Sequence, residues 1–219
     1  NLNENELITA TIPLRTFRPD RYLMFATRSG QVVKVPQDEF ARPRPSGINA
    51  IRLREGDTLV DVKPTDGTKE LILTTRNGQS LRFHEMSVRA MGRNAMGVRG
   101  IRLRRGDSVQ GMTIVEKDTL LTITDVGYGK RTPFDEFRGY SRGSLGVRNI
   151  PREGAGSVVD TLAVSERDEI LVMSAMGNVI RIRVSDIPIQ GRNTRGVWVM
   201  RPDEGDRVVG VALLRPDEE

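Results

Sequence analysis

The sequence contains no cysteine. That excludes a disulfide framework, thiol catalysis and thiolate metal sites, and it fits a cytoplasmic protein. Histidine is nearly missing as well: His84 stands alone, too few for a histidine metal cluster. No Gly-rich loop ending in Gly-Lys-Ser or Gly-Lys-Thr is present to cradle nucleotide phosphates. No independent active site is therefore expected. Apolar runs of membrane-span length, roughly 18 residues, are absent, and the opening "NLNENELITA" lacks the basic start and apolar stretch of a signal peptide. Neither a membrane nor a small-molecule substrate is an expected partner. Aromatic residues make up only 5% of the chain, which speaks against RNA recognition by base stacking. The Trp-Asp and double-Gly signatures of the common protein-binding propellers are missing too.

What is abundant is arginine. Of the 34 basic residues 29 are Arg, against 29 acidic residues, for a net charge of +5 over 219 residues. A guanidinium is a planar fork that grips two phosphate oxygens at once, so an Arg-rich basic surface suits a polyanionic partner.

The second abundance is repetition. Gly30, Gly78, Gly127 and Gly177 recur at spacings of 48, 49 and 50 residues, and Gly47, Gly97, Gly146 and Gly196 at 50, 49 and 50. Asp57, Asp107, Ser157 and Asp206 keep the same step. The chain is four tandem units, and each reads as four short strands. The first strand ("LMFAT", "LILTT", "LLTIT", "ILVMS") is apolar without alternation, as expected of a strand covered on both faces. Dipeptides such as Ser-Gly and Asn-Gly close it into a hairpin with a second strand ("VVKV", "SLRF", "VIRI"). A loop leads to a third strand ("INAIRLR", "VRGIRLR") and, after Gly-Asp, to a fourth ("TLVDV", "SVQGM", "RVVGV"). Four-stranded units of this length stack as propeller blades. The expected blades are 22–70, 71–119, 120–169 and 170–219, one domain. Residues 1–21, with "ELITATIPL", read as the surplus last strand of a preceding blade, which implies a chain cut from a longer repeat protein.

The segments "YLMFATRSGQVVKV", "GYGKRT", "MGRNAMGVRGI", "SRGSLGVRNI" and "GRNTRGVWVM" closely resemble the C-terminal domain of the DNA gyrase A subunit, in order and along essentially the whole chain. The resemblance implies an all-β pinwheel, a propeller-like array whose blades exchange strands with their neighbours. It implies duplex DNA wrapped or bent around the perimeter, in support of ATP-dependent negative supercoiling by the holoenzyme; cations on sheet edges and loops rather than on a recognition helix imply little sequence preference. The implied partners are double-stranded DNA, the catalytic part of the A subunit, and the gyrase B subunit. No cofactor belongs to this domain: ATP and Mg2+ act elsewhere in the holoenzyme, as does the strand-cleaving tyrosine. One departure stands out. The family's heptapeptide, Gln-Arg-Arg-Gly-Gly-Arg/Lys-Gly, has only degenerate copies here: "ARPRPSG", "MGRNAMG", "YSRGSLG" and "QGRNTRG". The topoisomerase IV A subunit, whose pinwheel also carries degraded heptapeptides and captures DNA with little wrapping, is therefore the alternative, with a protein-binding propeller behind it.

Two basic columns are candidates for the DNA track. One is Arg93, Arg142 and Arg192, each four residues before the closing Gly, with Arg44 three before it read into the same column. The residue that follows, Asn94, Gly143 or Asn193, tolerates left-handed backbone and would leave the Arg projecting, whereas Pro45 breaks the rule in the first copy. The other column is Lys34, Arg82, Arg131 and Arg181, four residues after each hairpin Gly. Stacked blades would repeat both around one rim as a curved cationic path. Arg42, Arg89, Arg99, Lys130, Arg138 and Arg195 would thicken it. The Asp column reads as caps on turns, and Trp198 as a packing residue.

Overall fold

Apolar runs closed by Gly-containing turns fold as hairpins. In the computed structural model, which describes residues 8–45 and 47–214, every repeat opens with one. The first repeat contributes β1 (Tyr22–Thr27), β2 (Gln31–Pro36) and β3 (Leu59–Thr65). The second forms β4 (Glu70–Thr75), β5 (Gln79–His84), β6 (Val98–Arg99) and β7 (Val109–Ile114). The third forms β8 (Thr119–Thr124), β9 (Tyr128–Pro133), β10 (Val147–Arg148) and β11 (Val158–Val164), and the fourth β12 (Glu169–Ser174), β13 (Val179–Arg183), β14 (Val197–Trp198) and β15 (Val208–Leu214). Among the described residues there is no α-helix, only short 3-10 turns after β2, β5, β9 and β13.

The sheets do not follow the repeats. Their orders are β3-β1-β2-β6, β7-β4-β5-β10, β11-β8-β9-β14 and β15-β12-β13, so each complete blade takes its outermost strand from the next repeat. All the strand pairs in these sheets are antiparallel. The fourth strands lie innermost, β3 against β7, β7 against β11 and β11 against β15. Each carries a β-bulge at the same register, where Val60, Gln110, Val159 and Val209 are skipped in the pairing. The extra residue raises the local twist where the strands crowd together. The architecture is an all-β, four-bladed, propeller-like array with strand exchange, as the repeat pattern and the family resemblance led one to expect.

Alternate side chains of the first strands face opposite neighbours, which is why those strands show no polar face. Met24 and Ala26 of β1 share a cluster with Leu71 and Leu73 of β4. Ile72 of β4 packs with Leu120 of β8, and Leu121 and Ile123 of β8 with Ile170 and Val172 of β12. Three sequence expectations need correction. In β12, Leu171 and Met173 are only half-buried, because among the described residues no further blade covers that face. The third strands shrink to two residues each, and 48–54 forms none among the described residues, since the only partner such a strand has is the second strand of a preceding repeat. Residues 8–21 also form no strand: both edges of β1 are taken, and the segment instead packs Ile12 and Leu14 on Leu23, Phe25 and Val33. Residues 1–7 of the expected N-terminal strand lie outside the described residues.

Candidate nucleic-acid interface

The crossover that delivers each third strand runs along the outer strand of the preceding repeat, with parallel bridges Lys34–Ala90, Arg82–Gly139 and Arg131–Ile189. The second basic column lies under this crossover. Lys34 is buried, 3.0 Å from Oε2 of the buried Glu85 and 4.2 Å from the centre of the Tyr22 ring. Glu85 also accepts from Thr65 Oγ1, Gly67 N and Lys69 N. Arg82 donates through Nη1 to the carbonyls of Phe134 and Phe137 at 2.8 and 3.4 Å, and its Nη2 pairs with Glu70. Arg131, buried, donates to the Ile187 carbonyl. In these three positions the cation latches the 3-10 turn of the following repeat. Arg181 is exposed and pairs with Glu169. The expectation that this column projects toward a ligand is thus corrected for Lys34 and Arg131, which are 5% exposed each, and weakened for Arg82.

The first column is also bonded inward. Arg93 donates to the Asn49 carbonyl at 2.9 Å with Glu39 at 3.6 Å, Arg142 to the carbonyls of Ser87 and Arg99 at 2.8 and 3.1 Å, and Arg192 to the Arg148 carbonyl at 3.0 Å with Glu136 at 3.8 Å. Each ties its loop to the third-strand segment of the preceding repeat, and each is half-buried. Arg44 does not share this place. It is one residue out of step, Pro43 occupying the equivalent position, and it stays exposed. Lys130 departs furthest from the expected rim. It is fully buried, with Nζ 2.7 Å from the carbonyl oxygens of Asn149, Gly191 and Arg192, and burial pulls its ammonium down to about 8.

Arg42, Arg44, Arg89, Arg99 and Arg138 remain exposed, and no hydrogen bond or ion pair holds their side chains among the described residues. Arg89 and Arg138 immediately precede the bridged crossover residues and so sit on the outer rim. Arg195 is exposed over the Tyr128 ring, 4.8 Å from its centre. Sequence reasoning passed over Arg148, which occupies the Arg99 position one repeat later. The recurrence of Val-Arg after two of the four closing Gly residues, at 98–99 and 147–148, was the available signal.

The Asp column serves turns. Asp57 Oδ1 accepts from Ser29 N and Thr58 N, Asp107 Oδ1 from Asn77 N and Ser108 N, and Asp206 Oδ1 from Met176 N and Arg207 N. The third repeat inverts the bond, with Asp125 Oδ1 accepting from Ser157 N. Burial disfavours the charge on Asp57, but the bonds from Ser29 and its neighbours prevail and hold the carboxyl below its ordinary range. His84 caps a 3-10 turn through Nδ1, which accepts from Met86 N. No group of three metal-ligating side chains converges among the described residues, and no helix there is long and apolar enough to cross a membrane.

Comparison with known proteins adds a further finding. The family model described as "DNA gyrase C-terminal domain, beta-propeller" matches residues 21–66, 69–116, 118–165 and 168–215. Over its full length the chain is 44% identical to the DNA gyrase A subunit of Salmonella typhimurium and 42% identical to that of Escherichia coli; the corresponding protein of Haloquadratum walsbyi is 39% identical over 96% of the chain. The chain spans about a quarter of the length of these curated relatives. Two solved structures share its fold. A DNA gyrase A C-terminal domain superposes with a TM-score of 0.85 at 29% identity, and a DNA topoisomerase IV C-terminal domain with 0.91 at 28%. The matches cover 92% and 97% of this chain and 68% of each of those chains.

Proposed function

Since this chain belongs to the family of DNA gyrase C-terminal β-propeller domains, we propose that it is a non-catalytic duplex DNA-binding domain that bends or wraps DNA with little sequence preference. One observation carries the reading: the basic side chains fall into two populations, a set bonded between blades and a set, with Arg42, Arg44, Arg89, Arg99 and Arg138, exposed and without partners among the described residues. Unpaired guanidiniums on strand edges and crossovers suit phosphates, and no recognition helix is present among the described residues to enter a major groove. In the holoenzyme the domain would hold a DNA segment for the catalytic part of the A subunit, and for the gyrase B subunit, supporting ATP-dependent negative supercoiling in the cytoplasm.

Titration of a labelled duplex between roughly 50 and 200 mM salt should show affinity falling steeply, with a slope of log K on log salt steeper than about −3. A flat profile would remove phosphate neutralisation as the mechanism. The second reading, capture without wrapping in the manner of a topoisomerase IV domain, is favoured by the degenerate heptapeptide copies and by the 0.91 superposition. Relaxing nicked-and-closed plasmid in the presence of the domain separates the two: wrapping shifts the linking number, capture alone leaves it unchanged.

A further inference from the structure

Strand exchange builds the same groove three times, with different contents. Pairing of β2 with β6 sets Gln31 opposite Arg99, pairing of β5 with β10 sets Gln79 opposite Arg148, and pairing of β9 with β14 sets Tyr128 opposite Trp198. In the last, the two rings stack with centres 4.1 Å apart, and Arg195 and Arg201 lie over them at 4.8 and 5.6 Å, so the groove is shut by aromatic surface. In the first, a cavity of about 540 Å³ is lined by Arg54, Arg99 and Arg102, with Glu55 and Asp57. In the second, a cavity of about 650 Å³ is lined by Arg104, Arg105, Arg148 and Arg152.

The second groove is the most cationic of the three. Its four Arg side chains are exposed and make no ion pair or hydrogen bond among the described residues, although Asp107 and Glu153 line the same space. Asp107 is turned to the backbone of Asn77 and Ser108 through Oδ1, and its Oδ2 has no partner. The Gln79 amide oxygen is likewise buried without a partner. Four guanidiniums against two carboxylates, none of them paired, leave the groove net positive, and a tetrahedral oxyanion that accepts from several forks relieves the repulsion among them.

We propose that the Gln79–Arg148 groove is a seat for a phosphoryl oxyanion, gripped by Arg104, Arg105, Arg148 and Arg152, that the Gln31–Arg99 groove is a weaker copy, and that the groove shut by Trp198 takes none. The seat rests on the DNA-binding reading for its source of phosphate, the duplex backbone; a free polyphosphate has the same chemistry. It places the strongest phosphate contact between the second and third repeats and leaves the fourth repeat to contact DNA through other side chains.

The test compares two triple variants of the 219-residue chain with equal loss of charge. One is Arg104→Gln, Arg148→Gln, Arg152→Gln; the other is Arg28→Gln, Arg76→Gln, Arg207→Gln, three exposed residues lining a separate cleft beside the inner strands. Duplex binding is read as a function of salt, and inorganic tripolyphosphate binding by calorimetry. The seat variant should weaken duplex binding at least about tenfold and shallow the salt slope by about 2 to 3 units, against less than about 1 unit for the other triple. Tripolyphosphate should bind the wild type and the second triple but not the seat variant. Arg148→Lys, which keeps charge and fold but loses the fork, should lower tripolyphosphate affinity severalfold, so that an unfolded triple would still leave a deciding result. Equal losses in the two triples, or a seat variant and Arg148→Lys that bind both ligands like wild type, overturn the seat. Tripolyphosphate binding that needs Arg104, Arg148 and Arg152 in a protein that ignores duplex DNA keeps the seat and removes the DNA reading.

Discussion

At the scale of single residues, glycine shows how one position can carry both a local and a remote constraint. Gly78 turns the β4–β5 hairpin at φ 81°, a left-handed conformation, and its carbonyl accepts from Asn149 N and Ile150 N of the next repeat. A Cβ there would stand 2.5 Å from the Ile150 carbonyl oxygen. Gly177 makes the same turn in the fourth repeat at φ 91°, with nothing within 4 Å. Left-handed backbone costs a side chain about 1 to 2 kcal/mol in either place. Gly177→Ala should therefore lose only that amount, while Gly78→Ala should lose at least about 3 kcal/mol, because the exchanged strand must also shift. Urea denaturation of the two variants measures the difference, and equal losses would mean that the docking of the third strand contributes little.

Where one repeat lends its third strand to the one before, short exchanged ladders are supplemented by Arg clips. Arg142 holds the crossover of the third repeat to two carbonyls, those of Ser87 and Arg99, whereas Arg93 and Arg192 each hold one. A hydrogen bond from a charged donor contributes about 1.5 to 3 kcal/mol. Replacement by Gln should lower the melting temperature most at Arg142 and less at Arg93 and Arg192. The salt slope of duplex binding should change by less than about 1 unit at each position. A variant that keeps its melting temperature and loses DNA affinity would return this column to the DNA track. The two-residue third strands make such clips necessary, since a ladder of that length gives the exchanged segment few backbone bonds of its own.

For the molecule as a whole, the inner strands set a pH dependence. Asp61 and Asp160, at equivalent positions of the first and third repeats, reach β7 from its two sides: Asp61 accepts from Met112 N, and Asp160 Oδ1 lies 3.9 Å from where a Cβ on Gly111 would stand. Desolvation pushes Asp160 up to about 7, with Asp61 adding to the effect and Thr161 N and Lys63 opposing it. A carboxyl raised on folding favours the folded state fully below its ordinary pKa of 3.8, and that contribution is lost as pH rises toward about 7. Asp160→Asn keeps the acceptor for Thr161 N and removes the titration. The variant should gain in melting temperature over wild type as pH rises from about 4 to 7 and hold the gain above. A difference between the two proteins that does not change with pH would place the Asp160 carboxyl in ordinary solvent.

The repeat, the hairpins and the turn chemistry were legible in the sequence because they are local: a positive φ at Gly30 or Gly78 and a carboxylate at Asp57 or Asp107 act on neighbours or on a turn at fixed register. Burial of the first strands was legible too, since an apolar run with no polar face needs cover on both sides. The fate of the cations was not. A basic residue recurring every 49 or so positions satisfies a latch between repeats as well as a displayed track, and only strand exchange, which lays the next repeat's crossover over Lys34, Arg82 and Arg131, decides between them. The same exchange left Arg99 and Arg148 facing solvent beside a groove and filled the third groove with Trp198. Composition and period determined that this chain carries regularly placed positive charge; whether each charge is bonded inside or open to a ligand depends on contacts between residues some fifty positions apart, which no local pattern records.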